Sequence, residues 1–162
     1  MSLDVLIEIP KGGLVKYEFD KEKGRIRVDR FLHGAMYFPF NYGYVEETLS
    51  EDNDPIDVVV LSSKPVVPGC LIKCQVVGLL QMEDEGGVDT KILAVPDVKI
   101  DPLFGKVKQA EELDQITKDK IRNFFEHYKD LEKGKWVKLK GWGSREKAEK
   151  EVLKAQERYK QK

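Results

Sequence analysis

Apolar and polar residues alternate in short runs along the first two-thirds of the chain: LDVLIEI at 3–9, LVKYEF at 14–19, RIRVDRF at 25–31, IDVVVLSS at 56–63, CLIKCQVVGLL at 70–80 and VDTKILAV at 88–95. A period of two places one set of side chains on each face of an extended chain, so these runs read as strands. The separators KGG, KEKG, EDNDPID and Gly86-Gly87 supply turn residues and are too short to hold crossover helices. The pattern predicts a mostly antiparallel meander or small barrel, with a closed or nearly closed barrel favoured.

After Pro102 the period changes. Ile121, Phe124, Phe125 and Tyr128 fall at i, i+3, i+4 and i+7, on one face of a helix. That helix, near 115–131, is expected to pack on the β region and to stop near Gly134. KWVKLKGW at 135–142 returns to a strand pattern, and Ser144 is placed to cap a charged helix near 144–160. Its apolar stripe is thin: Ala148, Val152, Ala155 and Tyr159. With no internal repeat, linker or low-complexity tract, residues 1–162 read as one α+β domain.

Charge narrows the functional classes. Lys and Arg number 28 against 29 Asp and Glu, a formal net charge of −1, in a chain that is 35% charged. No global positive field draws such a chain to nucleic acid or anionic lipid, so an anionic ligand must be held by local arrangement. The stretch MSLDVLIEIPKGG, broken by Asp4 and Glu8, is neither a basic leader nor a spanning segment, and a cytoplasmic protein without a membrane partner is expected. Cys70 and Cys74 lie four apart in a strand pattern, about 13 Å from each other, too far to bridge. They lack the further Cys or His of a zinc site, and both are expected to be small buried side chains.

The densest chemistry lies at Asp52-Asn53-Asp54-Pro55-Ile56-Asp57, where three aspartates precede a strand and Pro55 disfavours a helical Asp54. The same residues would also make an ordinary polar turn. An EF-hand is excluded, because Asp57 and Ser63 stand where that loop needs Gly and Glu. A second acidic turn carries Asp84 and Asp89, and Asp89 shares a strand face with Lys91. Lys16 and Glu18 share a face across Tyr17 in the same way. Arg30, Tyr42, Tyr128 and Lys129 add basic and phenolic candidates, each of which, taken alone, reads first as a surface ion pair or a core aromatic. His33 and His127 have no spaced partners and are read as structural. Serine-hydrolase, P-loop and dinucleotide signatures are missing.

Taken in order, IEIP at 7–10, KYE at 16–18, VDR at 28–30, FNYGY at 40–44, DNDPID at 52–57, MEDEGGVDTK at 82–91 and FFEHYKDLEKGKW at 124–136 resemble the family I soluble inorganic pyrophosphatases. The resemblance covers nearly the whole chain, and the length is similar to the short prokaryotic members. It implies a five-stranded OB-like β-barrel with flanking helices, a homohexamer, and hydrolysis of pyrophosphate to two phosphates by a metal-activated water. Several Mg2+ ions per site are implied, other divalent metals being possible. By the same resemblance Asp52, Asp57, Asp84 and Asp89 hold metal, Glu8 lies near a further metal and Glu18 belongs to the surrounding polar network. Lys16, Arg30, Tyr42, Lys91, Tyr128 and Lys129 bind phosphate. Asp54 stands beside the attacking water, with Asp89 the competing proton acceptor. Phe38 departs from the pattern, since some relatives place a tyrosine there, although Tyr37 is adjacent.

Elementary chemistry supports these expectations. Hydrolysis of a polyanion needs charge neutralisation and a stabilised leaving phosphate, which lysine, arginine and oxygen-bound cations provide. The competing classes are an OB-type module binding single-stranded nucleic acid or nucleotides, and a metal-binding scaffold without catalysis. The first calls for surplus basic charge with interleaved aromatics, whereas here aspartates recur.

Overall fold

The computed structural model describes residues 1–162. In chain order it contains β1 (Ser2–Ile9), β2 (Val15–Asp20), β3 (Arg25–Phe31), β4 (Asn41–Tyr44), β5 (Asp57–Val60), β6 (Leu71–Asp84), β7 (Gly87–Val88), β8 (Lys91–Pro96), α1 (Gln115–His127), β9 (Val137–Gly143) and α2 (Arg145–Lys160). A 3-10 turn at Ala110–Glu112 precedes α1.

Five strands pair in a ring, β1 with β4, β4 with β5, β5 with β8, β8 with β6, and β6 back onto β1. This closure is the five-stranded OB-like barrel expected, and it leaves those strands without a bare edge. The 14-residue β6 is long enough to extend past the ring and also pair with β7 and β9. Strands β2 and β3 form a separate hairpin sheet. A simple meander is excluded by the parallel pair β5–β8, with Val58 opposite Ile92 and Val59 opposite Leu93.

Alternation explains how one sheet serves two cores. Val58 and Val60 face a cluster with Val5, Ile7, Ile92 and the α2 residues Ala148, Val152 and Ala155. Val59, one residue out of phase, joins Leu80, Leu93 and the α1 residues Ile121, Phe124 and Phe125 on the other surface. Strand β4 shows no alternation because all four of its residues are buried, and it was therefore legible only as a motif. Gly43 is required there: a Cβ would collide with the Leu6 carbonyl of β1.

Helix α1 ends at His127, short of the expected 131, and Tyr128–Glu132 continue as turns closed by hydrogen bonds such as Glu132 N to Lys129 O, 2.9 Å. Ser144 caps α2 as expected, its Oγ accepting from Lys147 N at 3.2 Å. Cys74 is buried, but Cys70 is exposed, because it sits in the turn before β6 rather than within the strand. No helix is long and apolar enough to cross a membrane.

Candidate active site

The loop joining β4 to β5 carries Asp52 and Asp54 and is fastened at its base by Thr48. Thr48 Oγ1 donates to Val45 O at 2.6 Å and accepts from Ile56 N at 3.0 Å. At the tip, Asp52 Oδ1 accepts from Asp54 N at 3.0 Å, and Asn53 takes a left-handed φ of 69°, which asparagine tolerates better than most residues. The last turns of α2 brace the loop from outside. Leu49 N donates to Ala155 O at 2.9 Å, Arg158 Nη1 donates to Leu49 O at 3.4 Å, and Arg158 Nη2 lies 3.6 Å from Glu51 Oε1.

Lys91, the first residue of β8, is the hub. Its Nζ donates to Tyr42 Oη, Asp57 Oδ2 and Asp89 Oδ1, each at 2.7 Å, with only 4% of the residue exposed. Register explains the meeting: β5 begins at Asp57, pairs with β8 on one side and with β4 on the other. Burial alone would lower the lysine's pKa, but Asp57, Tyr42 and Asp89 outweigh it and hold the ammonium well above its ordinary range. Burial also dominates at Asp89 and raises it despite the opposing charge of Lys91. Tyr42, buried and beside Asp57, is pushed well above the usual phenol range, so its proton remains available for donation.

Lys129, just beyond α1, donates to Asp84 Oδ2 at 2.9 Å and to Glu85 Oε1 at 3.5 Å. Burial would raise Asp84, yet the hydrogen bonds from Lys129 and from Gly86 N hold it below the usual carboxylate value. On the β2–β3 hairpin, Lys16 Nζ donates to Glu18 Oε1 at 2.7 Å and lies 3.6 Å from Asp29. Arg30 is clamped by Glu132, Nε to Oε1 2.7 Å and Nη2 to Oε2 3.2 Å. Glu8 Oε2 accepts from Phe19 N at 2.7 Å, and burial pushes its carboxyl up to about 7.

These groups surround one cleft of about 770 Å³. Glu8, Lys16, Glu18, Arg30, Tyr42, Asp52, Asp54, Asp57, Asp84, Asp89, Lys91, Tyr128 and Lys129 all line it, so the residues picked out along the sequence converge in space. Neither histidine lines it; His127 is exposed, with Nδ1 2.8 Å from Asp130 Oδ2. Phe38 is buried in the aromatic cluster, its ring centroid 4.5 Å from that of Phe124, while Tyr37 is exposed and outside the cleft. Sequence reasoning missed Glu132, the clamp on Arg30, and Tyr44, a buried cleft residue. Both stand inside the motifs FFEHYKDLEKGKW and FNYGY, but the clamp of Glu132 depends on Arg30, far away in the chain, and the place of Tyr44 on the cleft wall depends on strand register.

All the cleft's acidic and phenolic donors are oxygens, with no Cys or His among them. No three carboxylates already form a closed metal cage; the ammonium groups of Lys91 and Lys129 stand among them instead. Carboxylates interleaved with buried cations, and no Ser, Cys or His nucleophile, define a site built to handle a polyanion. Comparison narrows that class. Residues 5–160 match the family model described as inorganic pyrophosphatase. The chain is 51% identical over 156 residues to an inorganic pyrophosphatase of Aquifex pyrophilus, covering 96% of this chain and 88% of that one. It is 54% identical over 149 residues to one of Rickettsia prowazekii, covering 91% and 87%. Against the solved inorganic pyrophosphatase of Helicobacter pylori the TM-score is 0.96 at 50% identity, covering 98% of this chain and 94% of that one. The chain belongs to the inorganic pyrophosphatase family.

Proposed function

We propose that this protein hydrolyses inorganic pyrophosphate to two phosphates, with residues 1–162 acting as one catalytic unit. The observation that carries the reading is the Lys91 hub, a buried ammonium shared by Asp57, Asp89 and Tyr42 in a cleft that also holds Lys16, Arg30 and Lys129. Asp52, Asp57, Asp84 and Asp89 would hold the divalent cations, with Glu8 near a further one and Glu18 in the polar network. An all-oxygen donor set suits magnesium. When bound, magnesium neutralises phosphate charge and makes water a stronger acid.

The chain's own groups account for the remaining steps. Lys16, Arg30, Lys91 and Lys129 take phosphate oxygens, while Tyr42 and Tyr128 donate hydrogen bonds that orient the substrate. A water oxygen attacks one phosphorus, the bridging P–O bond breaks, and the leaving phosphate departs with its charge covered by these cations. Asp54 accepts the water's proton. Asp89 is the competing acceptor, and its Oδ1 is engaged by Lys91 at 2.7 Å.

Two further elements belong to this reading. Self-association accords with the exposed Val98, Ile100 and Leu103 of one surface loop, and the family resemblance makes a homohexamer its expected form. A cytoplasmic location accords with two free cysteines. The OB-type nucleic-acid reading finds no support, since the cleft is rich in carboxylates and the net charge is −1. Phosphate release from pyrophosphate, measured beside gel retardation of single-stranded DNA, tests the proposal. Two phosphates per pyrophosphate and no retardation are expected; retardation without release would overturn it.

A further inference from the structure

We infer that Tyr44 is a further ligand-contacting residue of the cleft, its hydroxyl donating a hydrogen bond to a phosphoryl oxygen of bound pyrophosphate or phosphate. Tyr44 ends β4 and stands opposite Leu6 on β1 and Asp57 on β5, so backbone pairing on both sides fixes its position. The residue is 5% exposed and lines the same cleft as Asp57 and Lys91. Its Oη nevertheless has no hydrogen-bonding partner in the protein. Buried hydroxyls are almost always paired, because an unmade hydrogen bond forfeits the solvation lost on burial. Tyr42, two residues earlier on the same strand, shows the paired alternative, its hydroxyl accepting from Lys91 at 2.7 Å.

Packing gives no reason for the oxygen, since phenylalanine would fill the same space without an orphaned atom. A phenol hydroxyl with no acceptor in the protein keeps its proton free to donate. The Lys21 ammonium lies 5.2 Å from the Tyr44 ring centroid and lines the same cleft. A free hydroxyl donor on the wall of this cleft suits an oxyanion acceptor, and the phosphate groups of the proposed substrate are the oxyanions that Lys16, Arg30, Lys91 and Lys129 in the same cleft would receive.

The assignment rests on the pyrophosphate reading, and the experiment separates the two. Wild type and Tyr44→Phe are compared in ligand-free thermal midpoint, in calorimetric binding of inorganic phosphate with magnesium present, and in kcat and KM for pyrophosphate. The ligand-free midpoint of Tyr44→Phe should equal or exceed that of wild type, while phosphate binding weakens about ten- to a hundredfold, as for loss of one charge-assisted hydrogen bond. KM for pyrophosphate should rise with it. Unchanged phosphate affinity, or a variant that melts lower or fails to fold, would overturn the assignment, the latter by making the hydroxyl structural. A wild type that binds phosphate but releases none from pyrophosphate would refute the hydrolytic reading, and the binding difference would still decide the role of Tyr44. A wild type that binds no phosphate would overturn both.

Discussion

Lys91 Nζ lies 2.7 Å from Asp89 Oδ1, two residues earlier in the chain, and equally close to Asp57 Oδ2 on the adjacent strand. Two of the four carboxylates proposed to hold magnesium are therefore already paired with one buried ammonium. That lysine keeps the acidic cleft foldable without metal, and in the proposed mechanism it would also supply charge to the substrate.

Removing it should expose both roles. Lys91→Met leaves two carboxylates without their cation and should cost about 3–5 kcal/mol of stability in EDTA. Magnesium should restore part of that loss, because it binds only the folded state. Urea denaturation with and without magnesium measures this; equal stability of variant and wild type in EDTA would contradict it.

The division of labour among the aspartates is tested by two single changes. Asp54→Asn should lower kcat by about 10²–10⁴, the usual worth of a general base, while leaving magnesium affinity near normal. Asp89→Asn should weaken magnesium binding as well as rate. A wild-type rate for Asp54→Asn, or a loss of magnesium affinity as severe as for Asp89→Asn, would show that Asp54 is not the proton acceptor.

Much of this was legible from the chain. The β period, the change at Pro102 and the Ser144 cap are local signals, and the structure follows them. Asp89 and Lys91 do meet, at 2.7 Å, as their spacing of two suggests, although Asp89 lies in the link before β8 and not on a shared strand face. What depended on long-range register was not legible: β4, buried on both faces, and the parallel β5–β8 pair that brings Asp57 to Lys91. Cys70 was misjudged because strand boundaries shift by a residue or two, which moved it into a turn. Glu132 and Tyr44 could be named as motif members, but the clamp on Arg30 and the orphaned hydroxyl exist only after folding.

The brace between α2 and the acidic loop makes Arg158 a positioning residue. Arg158→Ala removes the contacts to Leu49 O and Glu51 while leaving the buried stripe of α2 intact. It should cost at most about 1 kcal/mol of stability, as expected of exposed ion pairs. It should also raise the magnesium concentration needed for half-maximal turnover. An unchanged magnesium requirement would show that the loop needs no brace.

Acid stability offers a separate check on the frame. Asp101 accepts hydrogen bonds from Ser63 N at 2.7 Å, Leu103 N at 3.1 Å and Phe104 N at 3.3 Å. Burial would raise its pKa, but these bonds outweigh it and hold the carboxyl below the usual carboxylate range. A depressed folded pKa contributes stability in full above the unfolded value and loses it as pH falls through the folded one. Wild type should therefore lose stability between about pH 5 and pH 3, and Asp101→Asn should lose less over the same interval. Parallel curves for the two proteins would contradict this.

The central claim is that oxygen-held divalent cations and the Lys91 cleft together hydrolyse pyrophosphate. Its most direct test is phosphate release from pyrophosphate, followed first in excess EDTA and then after magnesium is restored in excess of the chelator. Release should be abolished in EDTA and return with magnesium at two phosphates per pyrophosphate; full activity in EDTA, or none when magnesium returns, would contradict the account.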